Sequence, residues 1–164
     1  MPKKNFHVLP GLLVGNDYEL VIAGNPNADY EKVVRAAARS HGVENRVRLL
    51  APINEAEKFW YFRNCHAFAF PSLAEGFGLP VVEAMYYGKP VFLSEHPALK
   101  EIGESVAYYF TDFDAQAMRQ VFDRGMADWQ APGKSEQIRQ RALRFTWDQA
   151  ACDYLSLYRQ WGPG

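Results

Sequence analysis

Five short apolar runs, each followed by a helix-forming segment, constrain this chain more than any other feature. The runs are Tyr18–Ala23, Val47–Leu50, Ala67–Phe70, Val91–Leu93 and Val106–Phe110. Each is short and rich in β-branched or aromatic residues, which predicts a strand rather than a helix. The intervening sequence predicts helices at Tyr30–His41, from Asn54 to about Asn64, and at Leu79–Tyr87, with a short one at Leu99–Ile102. Three more follow at Asp114–Trp129, Ser135–Phe145 and Trp147–Trp161. Punctuation agrees with these limits. Gly24-Asn25-Pro26 ends the first strand, Gly42 and Gly88 stop helices, and Thr146 caps the last helix. Asn54 and Glu57 have the spacing of a reciprocal capping box. Pro80 sits in a first helical turn, where its missing N–H costs nothing. Strands alternating with helices predict an α/β, Rossmann-like parallel sheet with helices on both faces. Ligands of such sheets bind beyond the carboxyl ends of the strands.

The chain is long enough for one domain, 1–145, with a C-terminal helix, 146–161, that packs on it or crosses to a second domain. On that helix Trp147, Tyr154, Leu155 and Tyr158 fall on one face, which predicts core packing. Residues 162–164 read as a frayed end. Lys plus Arg number 18 and Asp plus Glu 19, so no field of one sign favours nucleic acid. No window has the apolar length of a membrane span. Lys3 and Lys4 ahead of the apolar segment Phe6–Val14 imitate a signal peptide. Pro10 and Gly11 break that segment, His7 interrupts it, and no cleavage site precedes Asp17 and Glu19, so a signal peptide is rejected. The segment is poor as a helix interior, and both a strand and a helix stay open for it. Cys65 and Cys152 read as reduced thiols of a cytoplasmic protein. His7, His41, His66 and His96 have no ligand spacing, no metal site is indicated, and His66 reads as packed.

The segment that carries chemistry is Pro71–Pro90, P-S-L-A-E-G-F-G-L-P-V-V-E-A-M-Y-Y-G-K-P. It spans the end of a strand and the start of a helix, on the ligand side of the sheet. Gly76 and Gly78 remove side chains and let a ligand approach the backbone. The N–H groups of Gly76, Phe77, Gly78 and Leu79 lead into the helix start, where free donors and the helix dipole favour an anion such as a diphosphate. Glu75 and Glu83 flank this point, and carboxylates accept hydrogen bonds from paired sugar hydroxyls. On residue chemistry alone, a capped helix with two acids at its positive end explains the pattern equally well.

Glu75 and Glu83 with their context, F-P-S-L-x-E-G-F-G-L-P-x-x-E-A-M followed by G-K-P-V, resemble the EX7E motif of retaining glycosyltransferase family 4. Pro2–Phe6 resembles the segment after that family's first strand, and Tyr18–Gly24 (YELVIAG) its second strand. Leu99–Gly103 followed by A-Y-Y-F, and F-T-W-D-Q-A-A, resemble its later segments. The resemblance covers essentially the whole chain. It implies the C-terminal half of a GT-B fold, in which this domain holds a nucleotide sugar and a second, N-terminal domain holds most of the acceptor site. It implies that Glu83 grips ribose hydroxyls, that Glu75 contacts the transferred sugar, and that amides from Gly76 to Leu79 hold the diphosphate or the sugar. Lys4 matches the lysine that neutralises the leaving diphosphate. Ile53 and its neighbours line the base, and Gly24 is placed with the donor-binding residues. The donor is a UDP-, GDP- or ADP-linked hexose, no cofactor or obligatory metal is required, and anomeric configuration is retained. The catalytic task is then charge stabilisation.

The sequence departs from the family pattern at its start. The family's first strand and the arginine ahead of the lysine have no counterpart, so the central strand of the sheet is expected to be missing. An unpaired central edge invites a homodimer. Donor binding without activity in isolation is the leading expectation. The full-length enzyme is expected in the cytoplasm, at the inner face of a membrane if its acceptor is a lipid. The alternatives are a non-catalytic, oligomerising module derived from such a domain, and another GT-B-shaped enzyme such as an epimerase.

Overall fold

The computed structural model describes residues 2–25 and 27–161. Pro26 of the first turn and the tail 162–164 lie outside the described residues. Five parallel strands form in chain order: β1 (Leu20–Ala23), β2 (Val47–Leu50), β3 (Phe68–Phe70), β4 (Val91–Ser94) and β5 (Tyr108–Phe110). Seven α-helices accompany them: α1 (Ala28–Ser40), α2 (Glu55–Asn64), α3 (Leu79–Tyr86), α4 (Pro97–Gly103), α5 (Ala115–Trp129), α6 (Lys134–Ala142) and α7 (Trp147–Trp161). The predicted alternation is present: β1, β3 and β5 begin one or two residues later than predicted, β2 has the predicted bounds, and β4 runs one residue further, to Ser94.

The strands form two sheets rather than one. β1 pairs with β2, opposing Leu20 to Val47 and Ala23 to Leu50. β3, β4 and β5 form the second sheet in that order, opposing Phe70 to Leu93 and Ser94 to Phe110. The break falls between β1 and β3, the position where the resemblance placed the missing strand. Side chains bridge it: Tyr18 and Leu20 share a hydrophobic cluster with Ala67 and Ala69, and Tyr18 packs its ring on His66 and Phe122. His66 itself is exposed and only flanks this cluster, against the packed position expected from its place before a strand.

The second sheet carries the core. β4 is buried along its whole length, as a central parallel strand must be. Phe92 has no exposed surface and lies against Tyr108, Phe110 and Phe122 at centroid distances of 5.1, 6.1 and 4.8 Å. Such offset aromatic contacts add to the energy of burial. Val81, Ala84 and Met85 bury one face of α3 against this sheet.

Phe6–Leu13 is neither strand nor α-helix but a 3-10 helix, with Leu9, Pro10, Gly11, Leu12 and Leu13 buried. A Cβ at Gly11 would lie 2.8 Å from the Ala115 Cβ, so the glycine permits close approach of α5. The Arg46 guanidinium then donates to the carbonyls of Leu13, Asn16 and Tyr18 at 2.8, 2.6 and 3.2 Å. One planar cation thereby satisfies three carbonyls in the connection to β1.

The first and last helices bury their apolar faces to different extents. On α1, Val34 and Ala38 are buried but Val33 is 46% exposed. On α7, no residue is buried, and Trp147, Tyr154, Leu155 and Tyr158 are all exposed. Core packing of this face is therefore corrected. The periodicity identified an amphipathic helix, but its apolar face has no surface of this domain against it. Among the described residues no helix is long and apolar enough to cross a membrane. Cys65 and Cys152 are free, and burial pushes the Cys65 thiol up.

The capping box at α2 is present in full. The Asn54 side chain accepts from the Glu57 N–H at 2.9 Å, and the Glu57 carboxylate accepts from the Asn54 N–H at 2.8 Å. Asn54→Ala is expected to lower stability by about 1 kcal/mol, measured by urea denaturation.

A second polar tie joins β5 to the α5–α6 turn. Asp128 accepts from the Tyr108 hydroxyl and from Lys134, both at 2.8 Å. The bond from Lys134, then that from Tyr108, holds the Asp128 carboxyl below its ordinary pKa. A depressed folded-state pKa contributes stability above the unfolded pKa, and that contribution is lost as pH falls through the folded value. Asp128→Asn is accordingly expected to lower the melting temperature near neutral pH and to match the wild type in acid, which melts across pH will show.

Candidate functional site

The loop from Pro71 to Gly78 is built on buried polar contacts. Ser72 is fully buried. Its hydroxyl bonds the Lys3 carbonyl at 3.2 Å, the Leu73 N–H bonds the same carbonyl at 2.8 Å, and the Ser94 hydroxyl donates to the Ser72 carbonyl. These bonds pin the N-terminal segment and the end of β4 to the loop that follows β3. Asn5, buried in the left-handed region at φ 55°, turns the chain after Lys4.

That turn sets Lys4 against the loop. Its ammonium donates to Glu75 Oε1 at 2.5 Å and lies 5.0 Å from the centre of the Phe70 ring. The structure thus unites two predicted site residues that are 71 positions apart. The Glu75 and Lys4 side chains are 10% and 32% exposed, so the pair is partly sheltered from bulk water and its attraction is stronger than that of a fully exposed pair.

The two glycines between the glutamates do different work. Gly78 caps α3 at φ 115°, and a Cβ there would lie 2.8 Å from Leu99 Cδ2 and 3.2 Å from Ile102 Cδ1. Its need for glycine is structural. At Gly76 nothing lies within 4 Å of a built Cβ, so the space above it is open. Phe77 and Leu79, 48% and 52% exposed, face outward although apolar. Phe77 meets the edge of Phe145, whose ring also carries the Arg141 guanidinium at 4.9 Å. Among the described residues, the backbone N–H groups of Gly76, Phe77, Gly78 and Leu79 have no hydrogen-bond partner. Four free amides at a helix start, beside a lysine, form a place for an anion.

Glu83 lies one turn into α3. Its Oε1 accepts from Lys58 Nζ at 2.7 Å, and Lys58 also bonds Glu55 at 2.9 Å. Nothing in the sequence marked Lys58. The only signal was its position in the helix that begins just after β2. Burial opposes the charge on Lys58, but its bonds to Glu55 and Glu83 outweigh that and raise its pKa. A cavity of about 350 Å³ opens beside Glu83, walled by Phe59, Val82, Tyr86, Tyr87, Leu143 and Phe145. Ile53 is half-buried in the segment between β2 and α2. Gly24 follows β1 and donates its N–H to the Leu50 carbonyl at 3.3 Å, which joins the ends of β1 and β2. Among the described residues, no hydrogen bond or ion pair joins Ile53 or Gly24 to the Glu75–Glu83 segment. Among the described residues no group of three or more His, Cys, Asp or Glu side chains is placed to hold a metal ion.

Comparison with known proteins places these features in context. Residues 2–144 match the family described as Glycosyl transferases group 1. The chain is 30% identical to a glycogen synthase of Deinococcus radiodurans over 154 residues, 92% of this chain and 33% of that protein. Among solved structures, the sucrose-phosphate synthase of Thermosynechococcus elongatus superposes with a TM-score of 0.79 at 25% identity, covering 98% of this chain and 43% of that one. Anabaena HepE in complex with UDP and glucose superposes with a TM-score of 0.72 at 25% identity, covering 98% and 44%. The chain spans less than half the length of each of these proteins.

Proposed function

The chain belongs to the group 1 glycosyltransferases, and on that premise we propose that it is the donor-binding part of an enzyme that transfers a hexose from a nucleoside-diphosphate sugar. One observation carries this reading: four unpartnered amides, from Gly76 to Leu79, lie between two glutamates that are each held by a lysine. The amides receive the diphosphate, with the α3 dipole adding to their field. Glu83 accepts from vicinal ribose hydroxyls and Glu75 from hydroxyls of the transferred sugar. Lys4 stabilises the charge that develops on the leaving diphosphate. The open space over Gly76 admits the sugar to the backbone. Ile53 and Gly24, after the ends of β2 and β1, complete the nucleoside side.

In this reading transfer proceeds with retention and without an obligatory metal. A second domain supplies most of the acceptor site, so this chain alone binds donor without turning it over. The acceptor is a glycan or a lipid-linked glycan, and the enzyme works in the cytoplasm or at the inner face of a membrane. HepE, similar along nearly this whole chain, is seen with UDP and glucose, which supports a nucleotide-sugar donor.

A second reading is favoured by the split sheet and by the exposed aromatic face of α7. Under it the chain is a non-catalytic module that oligomerises through those surfaces. Calorimetric titration with UDP, GDP and ADP separates the two. Saturable binding of one nucleotide supports the donor reading and identifies the base. Binding of none, with a stable oligomer in solution, supports the module.

A further inference from the structure

Among the described residues Lys58 is the one cation paired with Glu83, and it reaches that carboxylate from a different helix. Its ammonium lies 2.7 Å from Glu83 Oε1 on α3 and 2.9 Å from Glu55 in the first turn of its own helix, α2. The Lys58 and Glu83 side chains are 27% and 19% exposed, so the pair is partly shielded. The Lys58 ammonium also lies 5.1 Å from the centre of the Phe59 ring. Three contacts therefore fix one flexible side chain. The capping box at Asn54 fixes α2 in turn, immediately after Ile53.

We propose that Lys58 is a positioning residue for the nucleoside: it locks the Glu83 carboxylate in the orientation that accepts vicinal ribose hydroxyls. This rests on the donor-binding reading above and adds a residue to it. A carboxylate offers about four acceptor sites. Lys58 occupies one on Oε1 and leaves Oε2 and the second lone pair of Oε1 for two hydroxyls. A glutamate has three rotatable bonds, and a free one loses that freedom when it binds. Lys58 removes the freedom in advance, so less is lost when the nucleoside arrives. It also ties α2, which follows directly on the base-side segment at Ile53, to α3, which carries Glu83.

The test uses the full chain and calorimetry with UDP, GDP and ADP and with their dideoxyribose analogues. Lys58→Met is expected to weaken the ribonucleotide that binds by about tenfold, the size expected when one charge-assisted hydrogen bond no longer orients the acceptor. Binding of the dideoxyribose analogue, which cannot use Glu83, should be unchanged, and Lys58→Arg should restore most of the ribonucleotide affinity. A purely structural role would weaken both ligands alike. Equal loss for both ligands, or no loss for either, overturns the proposal while leaving donor binding intact. Absence of binding to the wild-type chain overturns the donor reading and this proposal together. Thermal melts of both variants confirm that the comparison is between folded proteins.

Discussion

Glu83→Ala is expected to weaken nucleoside diphosphate binding by about a hundredfold, the loss of two hydrogen bonds to an ionised acceptor. The carboxylate is the only acidic group on the α3 face that borders the 350 Å³ cavity, and Lys58 already holds it in place. Without it, the ribose hydroxyls lose their acceptor and Lys58 keeps only Glu55. The fold should survive, because Glu83 contributes to none of the hydrophobic clusters. Calorimetry read beside a thermal melt separates the two effects. An unchanged melt with affinity kept within about threefold would contradict the ribose assignment.

Gly78→Val should produce the largest loss of stability, about 4 kcal/mol from backbone strain and overpacking together. The residue sits at φ 115°, where a side chain is strained whatever the space. The new Cβ would press on Leu99 and Ile102, which are 0% and 1% exposed and have no room to retreat. Gly76→Ala, two residues away, is the internal control. Nothing lies within 4 Å of its Cβ, so stability should stay within about 0.5 kcal/mol, while the methyl group intrudes on the donor side of the loop. Urea denaturation of both variants checks the contrast. Equal stability of the two would mean that the glycines share one role, contrary to the geometry.

Local chemistry made much of this molecule legible. The β-branched and aromatic runs announced all five strands, because such residues suit the extended, partly buried backbone of a strand whatever surrounds it. The Asn54–Glu57 capping box was readable because both partners lie within one helical turn. The glycine-rich turn ahead of α3 was readable for the same reason, although the sequence did not separate Gly78, which packing requires, from Gly76, which packing leaves open.

What the sequence hid was mostly non-local. The 3-10 form of Phe6–Leu13 follows from its burial between α1 and α5, not from its own propensities. The aromatic periodicity of α7 was correctly read as an amphipathic helix and wrongly read as core, since periodicity defines a face and not its partner. The two lysine–glutamate pairs join residues 71 and 25 positions apart. For Lys4 the family resemblance bridged that distance. For Lys58 nothing did, and only folding brings α2 beside α3.

The most direct test of the account is a nuclear magnetic resonance titration of the isotopically labelled chain with UDP, GDP and ADP, following the backbone amides. The account predicts that one nucleotide shifts the Gly76, Phe77, Gly78 and Leu79 amides together, saturably, with smaller changes around Glu83 and Ile53. Saturable shifts confined to other surfaces, or no shifts with any of the three, would contradict it.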